Sequence, residues 1–84
     1  MPDRGEGFPR PTKTLDCIGL YCPEPVFRTR EEISMVQVGQ VLEVLADDPA
    51  FESDMRSWAK HSGHEVLSVE KVDGKFRFLI RRIM

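Results

Sequence analysis

The 84-residue sequence predicts a two-layer α/β sandwich of order β-α-β-α-β-β, with four strands in one sheet and both helices on one face. Three observations predict it. Val41-Leu42-Glu43-Val44-Leu45-Ala46 is nearly all apolar, the pattern of a central strand. Two segments with helical spacing each follow a strand-like run and open on prolines. Asp73-Gly74 separates two further strand-like runs, and that dipeptide is a strong signal for a two-residue hairpin. Right-handed crossovers then place both helices on the same side of the sheet.

The elements follow in order. Met1 to Thr12 combine three prolines and two glycines with mixed charges, and residues 1–12 are expected to be a disordered tail. Residues 13–84 form a single domain, the most that so short a chain allows. Lys13 to Cys17 is a short strand, and Ile18 to Tyr21 a loop in which Gly19 takes a conformation other residues avoid. The first helix runs from about Pro23 to Val36, with Val26, Phe27, Ile33 and Val36 as its apolar face. After the apolar strand, Asp47-Asp48-Pro49 opens the second helix, with Asp48 as N-cap and Pro49 at the first helical position. Phe51, Met55, Trp58 and Ser62 share one side of that helix, and Gly63 ends it. Strands Glu65 to Val72 and Lys75 to Ile83 complete the fold. In the last strand Phe76, Phe78 and Ile80 point to the core, whereas Lys75, Arg77, Leu79 and Arg81 face a partly wet, basic surface.

The chemistry concentrates at Cys22-Pro23-Glu24-Pro25. Prolines are tolerated in a first helical turn, where backbone N–H groups have no partner in the helix. Cys22 therefore sits at or next to the N-cap, where the positive end of the helix dipole favours the nucleophilic thiolate. Glu24 acts in the opposite sense, because a carboxylate beside a thiol raises its pKa. Both helices follow parallel strands, so Cys22 and the Asp47-Asp48 loop are expected to share the rim at the strands' carboxyl ends.

Leu15-Asp16-Cys17-Ile18-Gly19-Leu20-Tyr21-Cys22-Pro23-Glu24-Pro25-Val26 resembles the signature of the TusA/SirA-like small sulfur-carrier proteins, YedF/YeeD-like relatives included. Asp47-Asp48-Pro49-Ala50 and Gly63-His64-Glu65 extend the resemblance over about residues 14 to 83. It implies a mixed sheet whose last strand lies antiparallel between the second and third. It also implies a sulfur carrier that accepts sulfane sulfur on Cys22 as a persulfide and passes it on, for tRNA thiolation or related sulfur trafficking. Cys22 would be the carrier residue, supported by Gly19, Pro23, Glu24, Pro25, Asp47 and Asp48. A cysteine desulfurase or rhodanese-type protein would donate the sulfur and a downstream protein would accept it. Such a chain is a sulfurtransferase-like carrier rather than a stand-alone turnover enzyme, is expected to be a monomer, and requires no cofactor. Tyr21 precedes the cysteine where the family often has a basic or small residue, and tyrosine supplies no cation at neutral pH.

Two other readings remain open. Cys17 could be a second thiol pairing with Cys22 in a redox switch, although a buried, unreactive cysteine is the commoner case and not every family member has one there. The chain could instead be a regulatory module binding RNA or protein through Arg77, Arg81 and their basic neighbours. A formal charge of −2 gives no global attraction to nucleic acid, so direct nucleic-acid binding is not expected. No metal is expected either, since Cys17, Cys22, His61 and His64 lack the regular spacing of zinc ligands. No apolar run reaches the roughly 20 residues of a membrane span, and the N-terminus lacks a signal-like apolar stretch, so a cytoplasmic location without membrane contact is expected.

Overall fold

The structure is a computed structural model and describes residues 10–84; of the expected tail, residues 1–9 lie outside the described residues. The chain forms β1 (Lys13–Cys17), α1 (Glu24–Ile33), β2 (Val41–Ala46), α2 (Phe51–Ser62), β3 (Glu65–Val72) and β4 (Lys75–Arg81). The sheet order is β1-β2-β4-β3. β1 and β2 are parallel, while β4 runs antiparallel to both β2 and β3. The expected mixed four-stranded sheet is therefore present, with the last strand between the second and third.

The register explains the burial. Leu42, Val44 and Ala46 alternate along β2, and Phe76, Phe78 and Ile80 along β4, each set on one face. These six join Cys17, Ile33, Val36, Phe51 and Met55 in one buried cluster. Phe51 of α2 stands edge-on to Phe78, with ring centroids 5.0 Å apart, and tilted against Phe76 at 6.0 Å. Such aromatic pairs contribute about 1 kcal/mol beyond their buried area.

Helix α1 departs from expectation in length, and of its expected apolar face Val26, Ile33 and Val36 meet the core while Phe27 does not. It ends at Ile33 rather than Val36, where the Ser34 hydroxyl donates to Glu31 O at 2.7 Å and competes with helical bonding. Its buried stripe is Pro25, Thr29 and Ile33, one helical turn apart, which turns Phe27 outward at 51% exposure. The Thr29 hydroxyl stays satisfied in the interior by donating to Pro25 O at 2.7 Å.

The other sheet face is less wet and less basic than expected. Leu79 is only 2% exposed; it faces Glu43 and Ser68 across the strands and lies between Arg77 and Arg81 on its own. Long charged side chains cover apolar neighbours in this way. Arg77 pairs with Glu43 and Glu70, and Arg81 Nη1 lies 3.4 Å from Glu65. Arg82 turns to the backbone instead, donating to Val36 O at 2.6 Å and Met84 O at 3.1 Å.

Because β1 and β2 are parallel, their carboxyl ends, Cys17 and Ala46, lie side by side. Phe76, at the start of β4, pairs with Ala46. The β1–α1 loop, the β2–α2 loop and the Asp73-Gly74 turn thus gather at one end of the sheet.

Candidate functional site

The β1–α1 loop is shaped by short-range bonds. The Ile18 N–H donates to Asp16 Oδ1 at 3.0 Å and the Leu20 N–H to Cys17 O at 3.1 Å. Gly19 sits at φ +88°, and nothing lies within 4 Å of where its Cβ would be. Glycine is required there for backbone conformation and not for space.

The two acids of the β2–α2 loop then fasten this loop in place. The Gly19 N–H donates to Asp47 Oδ1 at 2.9 Å, and the Cys22 N–H to Asp48 Oδ2 at 2.7 Å. Asp48 is buried, and its Oδ1 also accepts the Ala50 N–H at 3.3 Å. Asp47 and Asp48 therefore share the rim with Cys22 and hold the backbone on both sides of Tyr21.

This arrangement corrects the expected helix cap. The N-cap of α2 is Ala50, not Asp48, and Pro49 precedes the helix. The physical reason is tertiary. Cys22, 26 residues away, takes one carboxylate oxygen of Asp48, and the Asp48 carbonyl accepts the Phe51 N–H at 2.9 Å in a turn ahead of the helix. The start of α1 is shifted as well. Pro23 is the N-cap, Glu24 the first helical residue and Pro25 the second, and the Cys22–Pro23 peptide bond is cis. Neither proline has an N–H, and that of Glu24 donates to Tyr21 O at 2.8 Å. Of the first helical turn, Val26 is left as the amide a bound anion could meet.

The electrostatics at the thiol also differ from expectation. The Cys22 thiol is pushed up from the ordinary cysteine range. Its hydrogen bond to the Asp54 carboxylate is the main cause, followed by desolvation and by the charges of Asp54 and Asp48. The acids outweigh the dipole of α1, because neighbouring carboxylates disfavour the thiolate while a helix end narrowed by two prolines offers it little. Glu24 plays no part in this shift; its carboxylate lies 3.7 Å from Arg28 Nε, one turn along α1.

Asp54 escaped the sequence reading. It lies in the first turn of α2, beside the apolar stripe of Phe51 and Met55. The sequence signal was the acid-rich run of Asp47, Asp48, Glu52 and Asp54, which spacing alone assigns to helix-dipole complementation.

The two cysteines occupy different environments. Both are free; Cys17 is 0% exposed at the inner end of β1, while Cys22 is exposed on the rim. Burial is the main cause that pushes the Cys17 thiol up. Tyr21, next to Cys22, is 77% exposed and leaves the sulfur uncovered by the core. A groove of about 440 Å³ opens nearby, lined by Ile18, Leu45, Val72, Phe76 and Arg77 among others, but Cys22 is not in its wall. Among the described residues, no group of three His, Cys, Asp or Glu side chains is placed to hold a metal ion, and no helix is long and apolar enough to cross a membrane.

Residues 13–82 match the family model described as Sulfurtransferase TusA. A protein of Archaeoglobus fulgidus named "Putative sulfur carrier protein" is 51% identical over 70 residues, which cover 82% of this chain and 91% of the relative. A protein of Aquifex aeolicus with the same name is 54% identical over 63 residues, covering 75% of this chain and 32% of that longer protein. Among solved structures, a SirA-like protein of Desulfitobacterium hafniense superimposes with a TM-score of 0.74 at 26% identity, covering 86% of this chain and 99% of that one.

Proposed function

Since the chain belongs to the sulfurtransferase TusA family, we propose that it is a sulfur carrier whose Cys22 accepts a sulfane sulfur as a persulfide and hands it to an acceptor protein. The observation that carries this reading is the contrast between the two thiols. Cys22 is exposed on a loop fastened by Asp47 and Asp48, whereas Cys17 is sealed in the core. A carrier needs one accessible sulfur on a rigid mount, since exchange depends on access as well as on thiolate character.

The donor is a cysteine desulfurase or a rhodanese-type protein, and the acceptor belongs to a sulfur relay such as tRNA thiolation. The exchange needs no cofactor. The work is done in the cytoplasm, where thiols stay reduced. Val26 offers its amide to the terminal sulfur of the persulfide, and Tyr21, Phe27 and Ile18 give the rim exposed apolar surface for the partner to cover.

A redox switch would have to bring Cys17 out of the core to reach Cys22, and a basic binding face would have to free Arg77 and Arg81 from Glu43, Glu70 and Glu65. Incubation with a cysteine desulfurase and radiolabelled cysteine tests the carrier reading. Label should follow the protein on a non-reducing gel, persist in Cys17→Ser and vanish in Cys22→Ser. Label retained in Cys22→Ser would refute it.

A further inference from the structure

The open face of the sheet carries a surface that the carrier chemistry does not use. We propose that the groove at its hairpin end binds a second copy of this chain, in a two-fold dimer in which the hairpin turn of each copy enters the groove of the other.

The strand register places the groove. Leu45, Arg77 and Glu70 stand in one cross-strand row, and Lys75, two residues before Arg77, pairs with Val72. All five point away from the core, because the alternate residues of β4, Phe76 and Phe78, belong to the buried cluster. Ile18, just past β1, and Phe76 complete a groove of about 440 Å³.

This end of the face is apolar where the rest is closed by charge. Arg77 is held by Glu43 and Glu70, and Arg81 by Glu65, on either side of the covered Leu79. Beyond that network Val72 is 65% exposed and Ile18 38% exposed, with Leu45 half-buried between the strands. An exposed apolar patch rimmed by charge marks a site of association.

Two charges identify the occupant. Asp73 and Lys75 line the groove on either side of Gly74, and among the described residues neither side chain is held by an ion pair or hydrogen bond. Lys71, the neighbouring cation, is turned to Phe76, with Nζ 5.3 Å from the ring centroid. One unpaired acid and one unpaired base beside a single groove match the same surface turned through a two-fold axis. In such a contact every pairing occurs twice. Asp73 of each copy meets Lys75 of the other, and Val72 of each fills the other's groove. A partner of one charge sign would gain at one of these residues and be repelled at the other. Exposed ion pairs add little affinity. They set the register, while burial of Val72, Ile18 and Leu45 supplies the attraction. One groove and one turn per copy make a contact of the weak class, under about 1,200 Å². Cys22, Tyr21 and Phe27 lie outside the groove wall, so the dimer leaves the rim open to a sulfur partner. It departs from the monomer that the resemblance implies.

Sedimentation equilibrium of the full chain under reductant, from about 10 μM to about 1 mM, spans the affinity of such a contact. The average mass should rise with concentration from one chain toward two. It should do so equally in Cys22→Ser, which excludes a disulfide-linked pair. Val72→Asp should weaken association at least ~10-fold, since it buries a charge in the apolar groove. Asp73→Lys and Lys75→Glu should each weaken it at least ~10-fold, because like charges then face one another across the axis. An equimolar mixture of those two variants should associate again, since every charge at the axis then faces its opposite, and misfolded chains would not recover in this way. A wild-type chain that stays single over the whole range would overturn the proposal. If Val72→Asp then slowed loading by a cysteine desulfurase, the groove would belong to the sulfur partner instead. Association untouched by Val72→Asp, or not recovered on mixing, would overturn it as well.

Discussion

Asp48 engages two backbone amides with its two carboxylate oxygens, Cys22 N–H at 2.7 Å and Ala50 N–H at 3.3 Å. It is 9% exposed and its bond to Cys22 is part-buried, so removing it leaves two backbone amides without their partner. Asp48→Ala is expected to cost about 2 kcal/mol, the usual size for a charged hydrogen bond lost in the interior. Urea unfolding measures it, and a change within experimental error would show that the clasp is not structural. Cys17 poses the opposite case. A hydroxyl in its apolar site is expected to cost about 1–2 kcal/mol in Cys17→Ser, while Cys22 loads sulfur at the wild-type rate. A loading defect in a folded Cys17→Ser chain would restore the two-thiol reading. The Cys22 position was legible from its prolines, yet its protonation was not. The helix dipole acts through the chain next to the sulfur, whereas Asp54, the first cause of the raised thiol pKa, belongs to another helix.

At the level of elements, local signals held where the physics is local. Asp73 and Gly74 both take positive φ, +53° and +77°, as the hairpin dipeptide demands. Gly63 ends α2 in the left-handed conformation at φ +81°, with its N–H donating to Ala59 O. A Cβ at Gly63 would also meet the flexible end of Met84, 2.5 Å away. Gly63→Ala is therefore expected to cost about 1–2 kcal/mol, chiefly from the backbone conformation. Thermal unfolding would show it as a lowered midpoint, and an unchanged midpoint would mean the α2 terminus relaxes freely. Signals failed where a distant partner competes. Asp48 had the sequence of an N-cap, and Cys22 claimed it. Phe27 had the look of a core residue, but Pro25, Thr29 and Ile33 set the buried stripe of α1 one position away.

Across the whole molecule, the sheet is tied together at both ends and over its open face. Thr14 of β1 donates to Glu43 of β2 at 2.7 Å, Glu43 accepts from Arg77 of β4, and Arg77 reaches Glu70 of β3 at 3.1 Å. This network crosses all four strands, and the pairing of β4 between β2 and β3 is what allows it. That order came from resemblance, because a hairpin alone is compatible with β3 or β4 beside β2. At the end away from Cys22, His64 Nδ1 accepts the Ile83 N–H at 3.1 Å and its ring stands 5.5 Å from that of Trp58. Burial, with Arg82 nearby, holds the His64 pKa below the usual histidine range. The folded chain thus binds fewer protons here than the unfolded one. The stability this contributes is present above the ordinary histidine pKa of about 6.5 and is lost as pH falls through the depressed value. The urea midpoint should fall as pH drops below about 6.5, and His64→Gln should flatten that dependence. A wild-type midpoint constant down to the carboxylate range would contradict the tie.

The central claim is that Cys22 carries sulfur, and intact-protein mass spectrometry after incubation with a cysteine desulfurase and L-cysteine tests it most directly. The account predicts a gain of about 32 Da, one sulfur atom, that reductant removes. The gain should persist in Cys17→Ser and be absent from Cys22→Ser. No gain in the wild type, with this donor and again with a rhodanese and thiosulfate, or a gain that survives in Cys22→Ser, would contradict it.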